Sequence, residues 1–171
     1  MTRIGTSDLD VFPLCLGGNV FGWTADRDES FAILDAFTDG GGDFIDTADG
    51  YSAWVPGNTG GDSERIIGAW LAARPSARLT IATKVSRHPD FPGLKNIRGA
   101  AEASLERLGV DTIDLYYAHY DDPEVPLPEA VAAFGKLVDD GLVRTIGLSN
   151  FTPARMREWM QTAANLGVAQ P

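Results

Sequence analysis

Residues 143–153 read VRTIGLSNFTP and contain a strand, a polar turn and the start of a helix in eleven consecutive positions. The apolar, β-branched run from Val143 to Leu148 predicts a buried strand. Thr152 and Pro153 predict the start of a helix, because a threonine hydroxyl caps free N–H groups and proline fits the first helical position. Such a strand-to-helix unit is the building block of a parallel α/β fold.

The same unit recurs along the whole chain. Strand-like runs cover residues 12–16, 43–45, 79–83, 112–118 and 143–148, and amphipathic helix patterns cover 28–39, 63–73, 94–108, 127–139 and a last stretch from 153. A long loop containing Pro89 and Pro92 precedes the third helix, and Met156, Trp159, Met160 and Ala163 form the expected inner stripe of the fifth. Five βα units in succession predict a parallel sheet with crossover helices.

Two features favour a (β/α)8 TIM barrel over a doubly wound open sheet. No Gly-x-Gly-x-x-Gly follows the first strand, and polar residues stand at the end of nearly every strand. A complete barrel needs on the order of 250 residues. The chain has 171 residues, so we expect one domain over 1–171: an α/β barrel truncated to about five βα units plus the start of a sixth strand at 167–170. Residues 3–11 are compatible with a small hairpin ahead of the barrel.

Composition narrows the partners that we expect. The formal net charge is −10, which disfavours nucleic-acid backbones and anionic membrane surfaces. No apolar run approaches the roughly 18 residues of a membrane span, and the N-terminus shows no signal-peptide pattern, so a cytoplasmic location is expected. The single cysteine, Cys15, lies between two leucines and is interpreted as a buried thiol.

Polar residues follow four successive predicted strands. Asp46, Lys84, His119 and the Ser149-Asn150 pair each come directly after an apolar stretch, and Tyr51 lies five residues beyond Asp46. Because the carboxyl ends of barrel strands meet at one mouth, these side chains should converge there.

The residue types in this set suit proton transfer to an oxygen. A tyrosine has a pKa of about 10, and a neighbouring ammonium lowers that pKa. Lys84 could supply the ammonium, Asp46 could keep it charged, and His119 could hold a carbonyl oxygen. Ser149 and Asn150 could bind an amide. No set of metal ligands is expected among them.

The segments that carry these residues resemble one known family. Residues 44–51 (FIDTADGY), 81–85 (IATKV), 114–119 (DLYYAH), 141–151 (GLVRTIGLSNF) and 168–171 (VAQP) are similar, in this order, to motifs of the aldo-keto reductases. The resemblance covers essentially the whole chain.

The resemblance implies a TIM barrel that binds NADP(H) and reduces aldehydes or ketones, so the expected partner is a small carbonyl substrate. It implies Tyr51 as general acid, Lys84 and Asp46 as the groups that tune it, and His119 as the group that positions the carbonyl. By the same resemblance the nicotinamide cofactor would contact Gly17, Gly18, Asn19, Ser149, Asn150 and Gln170, and Trp54 would wall the substrate pocket. The loops that grip the cofactor's phosphates in this family come later than residue 171.

Two other readings remain open. A catalytically incompetent fragment, or a subunit that associates with a partner or with itself, is suggested by the bare strand edges of an unclosed barrel. A metal-dependent hydrolase using Asp46, His119 and Asp121 is the weakest, because the chain has only two histidines.

Overall fold

The computed structural model describes residues 1–86 and 93–171, and five parallel strands form its central sheet. The elements in chain order are β1 Thr2–Arg3, β2 Asp10–Val11, β3 Leu16–Gly17, α1 Arg27–Asp39, β4 Phe44–Asp46, α2 Asp62–Ala73, β5 Thr80–Val85, a 3-10 turn Gly93–Asn96, α3 Ile97–Leu108, β6 Ile113–Ala118, α4 Leu127–Asp139, β7 Val143–Leu148 and α5 Pro153–Leu166. The sheet order is β3-β4-β5-β6-β7, so each strand pairs with the next one along the chain. All four pairings are parallel, as the repeated βα unit predicts.

Strands β1 and β2 form an antiparallel pair ahead of this sheet, which confirms the hairpin. The Arg144 guanidinium ties the hairpin to the amino-terminal end of the sheet, because it donates to Asp8 at 3.1 Å and to Asp114 at 2.7 Å. Leu9 of the hairpin packs with Ala82 and Leu115 on the inner face of the sheet.

The larger part of the core lies between the sheet and its helices. Trp70, Phe134 and Trp159 are each at most 1% exposed and fill this layer. Local sequence starts these helices where expected: Asp26 and Glu29 make a capping box at α1, and Thr152 accepts from the Arg155 N–H at α5. Burial of apolar area on this outer face therefore holds the helices against the sheet.

Several boundaries differ from the sequence-based expectation. The first strand is shorter, because the Phe12 N–H donates to the Asp43 side chain at 2.7 Å instead of joining a ladder. Residues 168–170 form no ladder either, and the Val168 N–H closes the end of α5 by donating to the Ala163 carbonyl at 3.1 Å. The third helix begins at Ile97, after the 3-10 turn. The loop that contains Pro89 and Pro92 lies outside the described residues.

Two burial predictions are wrong. On α5 only Trp159 and Ala163 are buried, whereas Met156 and Met160 are 37% and 38% exposed. Residues four apart share a helix row, and only the 159–163 row faces Phe134 of α4. Cys15 is exposed, because it lies before β3 and outside the helix-covered layer.

Within 1–86 and 93–171, no helix combines the length and the apolar character that a membrane crossing requires.

Candidate active site

The predicted polar residues meet at the carboxyl end of the sheet. Asp46 ends β4, Lys84 is the penultimate residue of β5, and His119 and Ser149 directly follow β6 and β7. Ladder-like hydrogen bonds continue past the strand ends, since the His119 N–H donates to Val85 at 3.2 Å and the Ser149 N–H donates to Ala118 at 3.0 Å. The parallel pairing thus places side chains from distant parts of the sequence at one rim.

The Lys84 ammonium is the centre of this rim. Its Nζ donates to Asp46 Oδ2 at 2.6 Å, to the Tyr51 hydroxyl at 2.7 Å and to the Thr47 carbonyl at 2.8 Å. An ammonium has three donors, and all three are used here. Lys84 is 6% exposed, while the Asp46 side chain keeps 26% of its surface open to solvent.

Tyr51 lies on the loop that follows β4, and this loop is hydrogen-bonded to the loop that follows β3. Its hydroxyl lies 3.2 Å from Asp46 Oδ2 and donates to that oxygen. The next residue, Ser52, is fully buried in the left-handed region at φ 64°, and its hydroxyl donates to the Phe21 carbonyl at 2.8 Å. This contact joins the loops that follow β3 and β4.

Burial shifts the ionisation of both central groups. It lowers the pKa of Lys84, and the Asp46 carboxylate opposes that change. Burial and, after it, Asp46 raise the pKa of Tyr51 above its usual value. The net shift of the Tyr51 pKa is therefore opposite to the one expected from a neighbouring ammonium alone, because desolvation and the nearby carboxylate both disfavour the phenolate.

His119 completes the cluster. Its ring stands edge-on to Tyr51, with centroids 6.0 Å apart, and stacks on Tyr120 at 4.6 Å. Nδ1 shares a hydrogen bond with the Ser86 hydroxyl at 2.9 Å. Burial, then Lys84, lowers the pKa of His119 to about 4, so the ring is neutral at pH 7.

Ser149 and Asn150 lie beside His119 and do not cap α5. Thr152 provides that cap, which leaves the pair at the rim. The Asn150 amide nitrogen donates to the His119 carbonyl at 2.9 Å and to Ser149 Oγ at 3.0 Å. Asn150 adopts φ 59°, a left-handed conformation that asparagine tolerates better than most residues.

The remaining predicted site residues lie in three places: residues 17–19 at the end of β3, Trp54 on the loop after β4, and Gln170. Gly17, the last residue of β3, and Asn19 are exposed, whereas Gly18 is buried, and a Cβ there would lie 3.0 Å from Ser63 Oγ and 3.1 Å from the Asp46 carbonyl. A side chain at position 18 would therefore press against Ser63 and the backbone of Asp46. Trp54 is 53% exposed and stands edge-on to Trp23, with centroids 5.5 Å apart.

Gln170 is not brought to the Lys84 cluster. It is exposed and lines a cleft between the hairpin turn, residues 4–8, and residues 144–148 of β7. Its cofactor role stays a prediction.

Sequence reasoning missed three residues near the rim: Trp23, Asp49 and Ser86. Ser86 could have been found, because it lies two positions after Lys84 and therefore faces the same side of the extended chain.

The described residues also bear on the metal-hydrolase reading. Asp121 is paired with Arg155, whose Nε lies 2.9 Å from its Oδ2. Across residues 1–86 and 93–171, no three His, Cys, Asp or Glu side chains group closely enough to hold a metal ion.

Comparison with known proteins gives consistent matches. The model of the aldo/keto reductase family matches residues 13–170. Norsolorinic acid reductase B of Aspergillus parasiticus is 35% identical over 93% of this chain and 44% of its own length. An uncharacterized oxidoreductase, YrpG, of Bacillus subtilis is 40% identical over 88% of this chain and 49% of its own length.

A solved structure supports the fold directly. The holo form of aldo-keto reductase AKR11C1 from Bacillus halodurans superimposes with a TM-score of 0.79 at 31% identity, covering 94% of this chain and 53% of that one. The predicted TIM-barrel fold class is thereby confirmed. The chain spans about half the length of these three proteins.

Proposed function

The chain belongs to the aldo/keto reductase family, and from that premise we propose that the Lys84 site reduces an aldehyde or ketone to an alcohol with a hydride from NADPH. One observation carries the proposal. Lys84 Nζ lies 2.6 Å from the Asp46 carboxylate and 2.7 Å from the Tyr51 hydroxyl, so an acid, a cation and an anion share one rim.

Tyr51 is the proposed general acid. Its raised pKa keeps the phenol protonated at neutral pH. An alkoxide is far more basic than a phenolate, so the proton still moves to the substrate oxygen once the hydroxyl turns away from Asp46. The phenolate that remains lies against the Lys84 ammonium, which stabilises it as charge develops.

His119 and Asp46 assist that proton transfer in two different ways. Asp46 favours the charged form of Lys84 against the effect of burial. The neutral His119 ring uses Nδ1 for Ser86, which leaves Nε2 to orient the carbonyl oxygen.

The rim also suits the nicotinamide end of the cofactor, which when bound supplies the hydride. The Ser149 hydroxyl can donate to a carboxamide oxygen, and Asn150 Oδ1 can accept from a carboxamide NH2, since the Asn150 nitrogen is already used. Gly17, Asn19 and Gln170 are further proposed contacts, and the preference for NADP(H) is a family expectation.

The half-exposed Trp54, edge-on to Trp23, is proposed as one wall of the substrate pocket. A flat aromatic wall favours carbonyl compounds with an apolar or aromatic body. We further propose a cytoplasmic protein without nucleic-acid or membrane partners, in keeping with the net charge of −10.

A second candidate role is association with a partner or a second copy. Among the described residues β7 pairs only with β6, and Met156 and Met160 are exposed on the following helix. An open strand edge and exposed apolar side chains favour self-association. Light scattering at increasing protein concentration tests this role.

The test of function is aldehyde-dependent oxidation of NADPH, with cofactor binding followed by fluorescence. Tyr51→Phe should lower kcat by about 10²–10⁴-fold, the contribution of a general acid, and leave cofactor binding unchanged. Turnover that survives this change would exclude Tyr51 as the acid. A folded chain that binds no NADPH would favour the second role instead.

A further inference from the structure

Ser86 and His119 form the next cross-strand pair beyond the ends of β5 and β6. Val85 and Ala118 are the last residues paired in this ladder, and the His119 N–H still donates to the Val85 carbonyl at 3.2 Å. Ser86 is 5% exposed, and its Oγ lies 2.9 Å from Nδ1 of the His119 ring. Neighbouring parallel strands thus bring this hydroxyl and this ring together at the rim that holds Lys84.

Asp49 and Gly50 determine where the Ser86 side chain lies. The Ser86 N–H donates to Asp49 Oδ1 at 2.8 Å, and the Asp49 N–H donates to the Lys84 carbonyl at 3.2 Å. Asp49, which is 3% exposed, therefore binds the backbone on both sides of the last residue of β5, as a further strand residue would. A Cβ on Gly50 would lie 2.7 Å from Ser86 Oγ and 2.9 Å from Ser86 Cβ, so the glycine leaves the space that this side chain occupies.

The ring of His119 has two orientations that its aromatic neighbours do not distinguish. It stacks on Tyr120, with centroids 4.6 Å apart, and stands edge-on to Tyr51 at 6.0 Å. Turning the ring by 180° about its Cβ–Cγ bond leaves its plane unchanged and exchanges Nδ1 with Cδ2 and Nε2 with Cε1. A carbon in the place of Nδ1 could not share this hydrogen bond with Ser86, so the bond favours the orientation seen here.

We propose that Ser86, supported by Asp49, is a positioning residue that keeps Nε2 of His119 where a carbonyl oxygen binds. The inference rests on the proposed function for its catalytic meaning. The ring is neutral at pH 7, and with Nδ1 engaged, Nε2 is the ring nitrogen that remains for a substrate. The turned ring would present Cε1 in that place, and a C–H group is a much weaker donor than an N–H. Ser86 acts on the substrate through His119.

A double-mutant cycle tests whether Ser86 acts through His119. Ser86→Ala should lower kcat/KM for aldehyde reduction by about tenfold, the contribution of one hydrogen bond, and leave the Kd for NADPH unchanged. In the His119→Ala background the same change should have almost no further effect, because the group that Ser86 positions is gone. Equal losses in both backgrounds would overturn the proposal, since a residue needed only for folding would lower both values of kcat/KM alike.

¹⁵N NMR of the His119 ring in the complete chain at pH 7 reports the same arrangement without turnover. The chain has two histidines, and His88→Gln assigns the signals of His119. In the parent chain we expect separate signals for one protonated and one bare nitrogen. In Ser86→Ala the two signals should move toward each other, because a ring without this bond samples both orientations and both tautomers. Since Ser86 contacts Nδ1, a parental Nε2 signal in this variant would overturn the proposal.

Two variants of Asp49 test the support of Ser86. The side-chain carbonyl of asparagine can still accept from the Ser86 N–H, so Asp49→Asn should keep the parental His119 signals, whereas Asp49→Ala should move them as Ser86→Ala does. Parental signals in Asp49→Ala would overturn the role of Asp49. Ser30→Ala is the matched control: it removes a fully buried hydroxyl that donates to the Ala25 carbonyl, and it should change neither the signals nor kcat/KM.

The two measurements separate this proposal from the proposed function. Shifted His119 signals in Ser86→Ala, in a chain without NADPH-dependent turnover, would refute the proposed function and leave the positioning role standing. Turnover of the parent chain with parental signals in Ser86→Ala, or with equal losses in both backgrounds of the cycle, would refute the positioning role and leave the proposed function standing.

Discussion

Two charge pairs lie on opposite sides of β5, at adjacent residues, and the inner one belongs to the proposed active site. On the outer side, Thr83 donates to Glu64 Oε1 at 2.6 Å and the Arg107 guanidinium donates to Glu64 Oε2 at 2.6 Å. On the inner side, Lys84 contacts Asp46 and Tyr51. Strand alternation alone sends neighbouring residues to these different surroundings.

The outer and inner pairs differ in which of their polar groups a ligand can reach. Glu64 is fully buried, and both of its oxygens are engaged by residues of the fold. The inner pair includes a phenol that can turn its proton and a carboxylate side chain that is 26% exposed. A closed pair fixes helices to the sheet, whereas an open pair at a strand end can exchange a proton.

Breaking the outer pair should give the largest effect on stability. We expect Glu64→Leu to lower the free energy of unfolding by about 3–5 kcal/mol, because it leaves the Arg107 charge and the Thr83 hydroxyl without their partner. Urea denaturation measures this change. Glu64→Gln should also lower the free energy of unfolding, but by less. A loss well below 1 kcal/mol in Glu64→Leu would mean that this pair does not hold α2 and α3 to the sheet.

Asp49 lies between the two regions and should make stability depend on pH. Its folded pKa is raised from 3.8 to about 6, so the folded chain binds the proton more tightly than the unfolded chain. Stability from this group is complete below about pH 4 and is lost as pH rises to about 6, by roughly 3 kcal/mol at 1.4 kcal/mol per pKa unit.

Unfolding of the parent chain and of Asp49→Asn, compared at pH 4 and pH 7, isolates this contribution. The variant should gain relative to the parent at the higher pH. A constant difference between the two chains would show that Asp49 titrates at its usual pKa.

Breaking the inner pair should affect turnover more than stability. Lys84→Met is expected to lower kcat by about 10²-fold, because the phenolate left on Tyr51 loses its cation. Stopped-flow oxidation of NADPH measures this. Lys136→Met, on the exposed face of α4, is the matched control and should keep the parental rate.

The smallest effect is expected for an exposed pair. Arg98 contacts Glu102 at 2.9 Å on α3, and both side chains are about half exposed. Glu102→Gln should leave the melting temperature unchanged within error, since solvent screens such pairs. A clear shift in melting temperature would mean that an exposed charge pair also stabilises the fold. Burial alone would then not distinguish the two β5 pairs from the others.

The order of elements and the identity of the rim could be predicted from local signals. Apolar periodicity located β7 at residues 143–148, and the Thr152-Pro153 start of α5 was confirmed by its cap. The convergence of Asp46, Lys84 and His119 followed from one rule, that parallel strands end together. The rule needs only the approximate end of each strand.

Properties that depend on distances across the fold could not be predicted from these local signals. The exposure of Met160 follows from which row of α5 faces α4, and the sequence pattern fits two adjacent rows equally well. The raised pKa of Tyr51 depends on how far burial and Asp46 outweigh Lys84, which spacing along the chain does not reveal.

The sequence by itself determined the βα alternation, the starts of α1, α2, α4 and α5 and the set of polar residues at the strand ends, because each depends on residues within a few positions of one another. Tertiary structure alone decided that Ser86 bridges Asp49 and His119, and that Thr83 and Lys84 serve opposite sides of one strand. Those contacts join residues 19 to 38 positions apart. Desolvation and hydrogen-bond geometry act through space, so their direction is fixed only when the chain has folded.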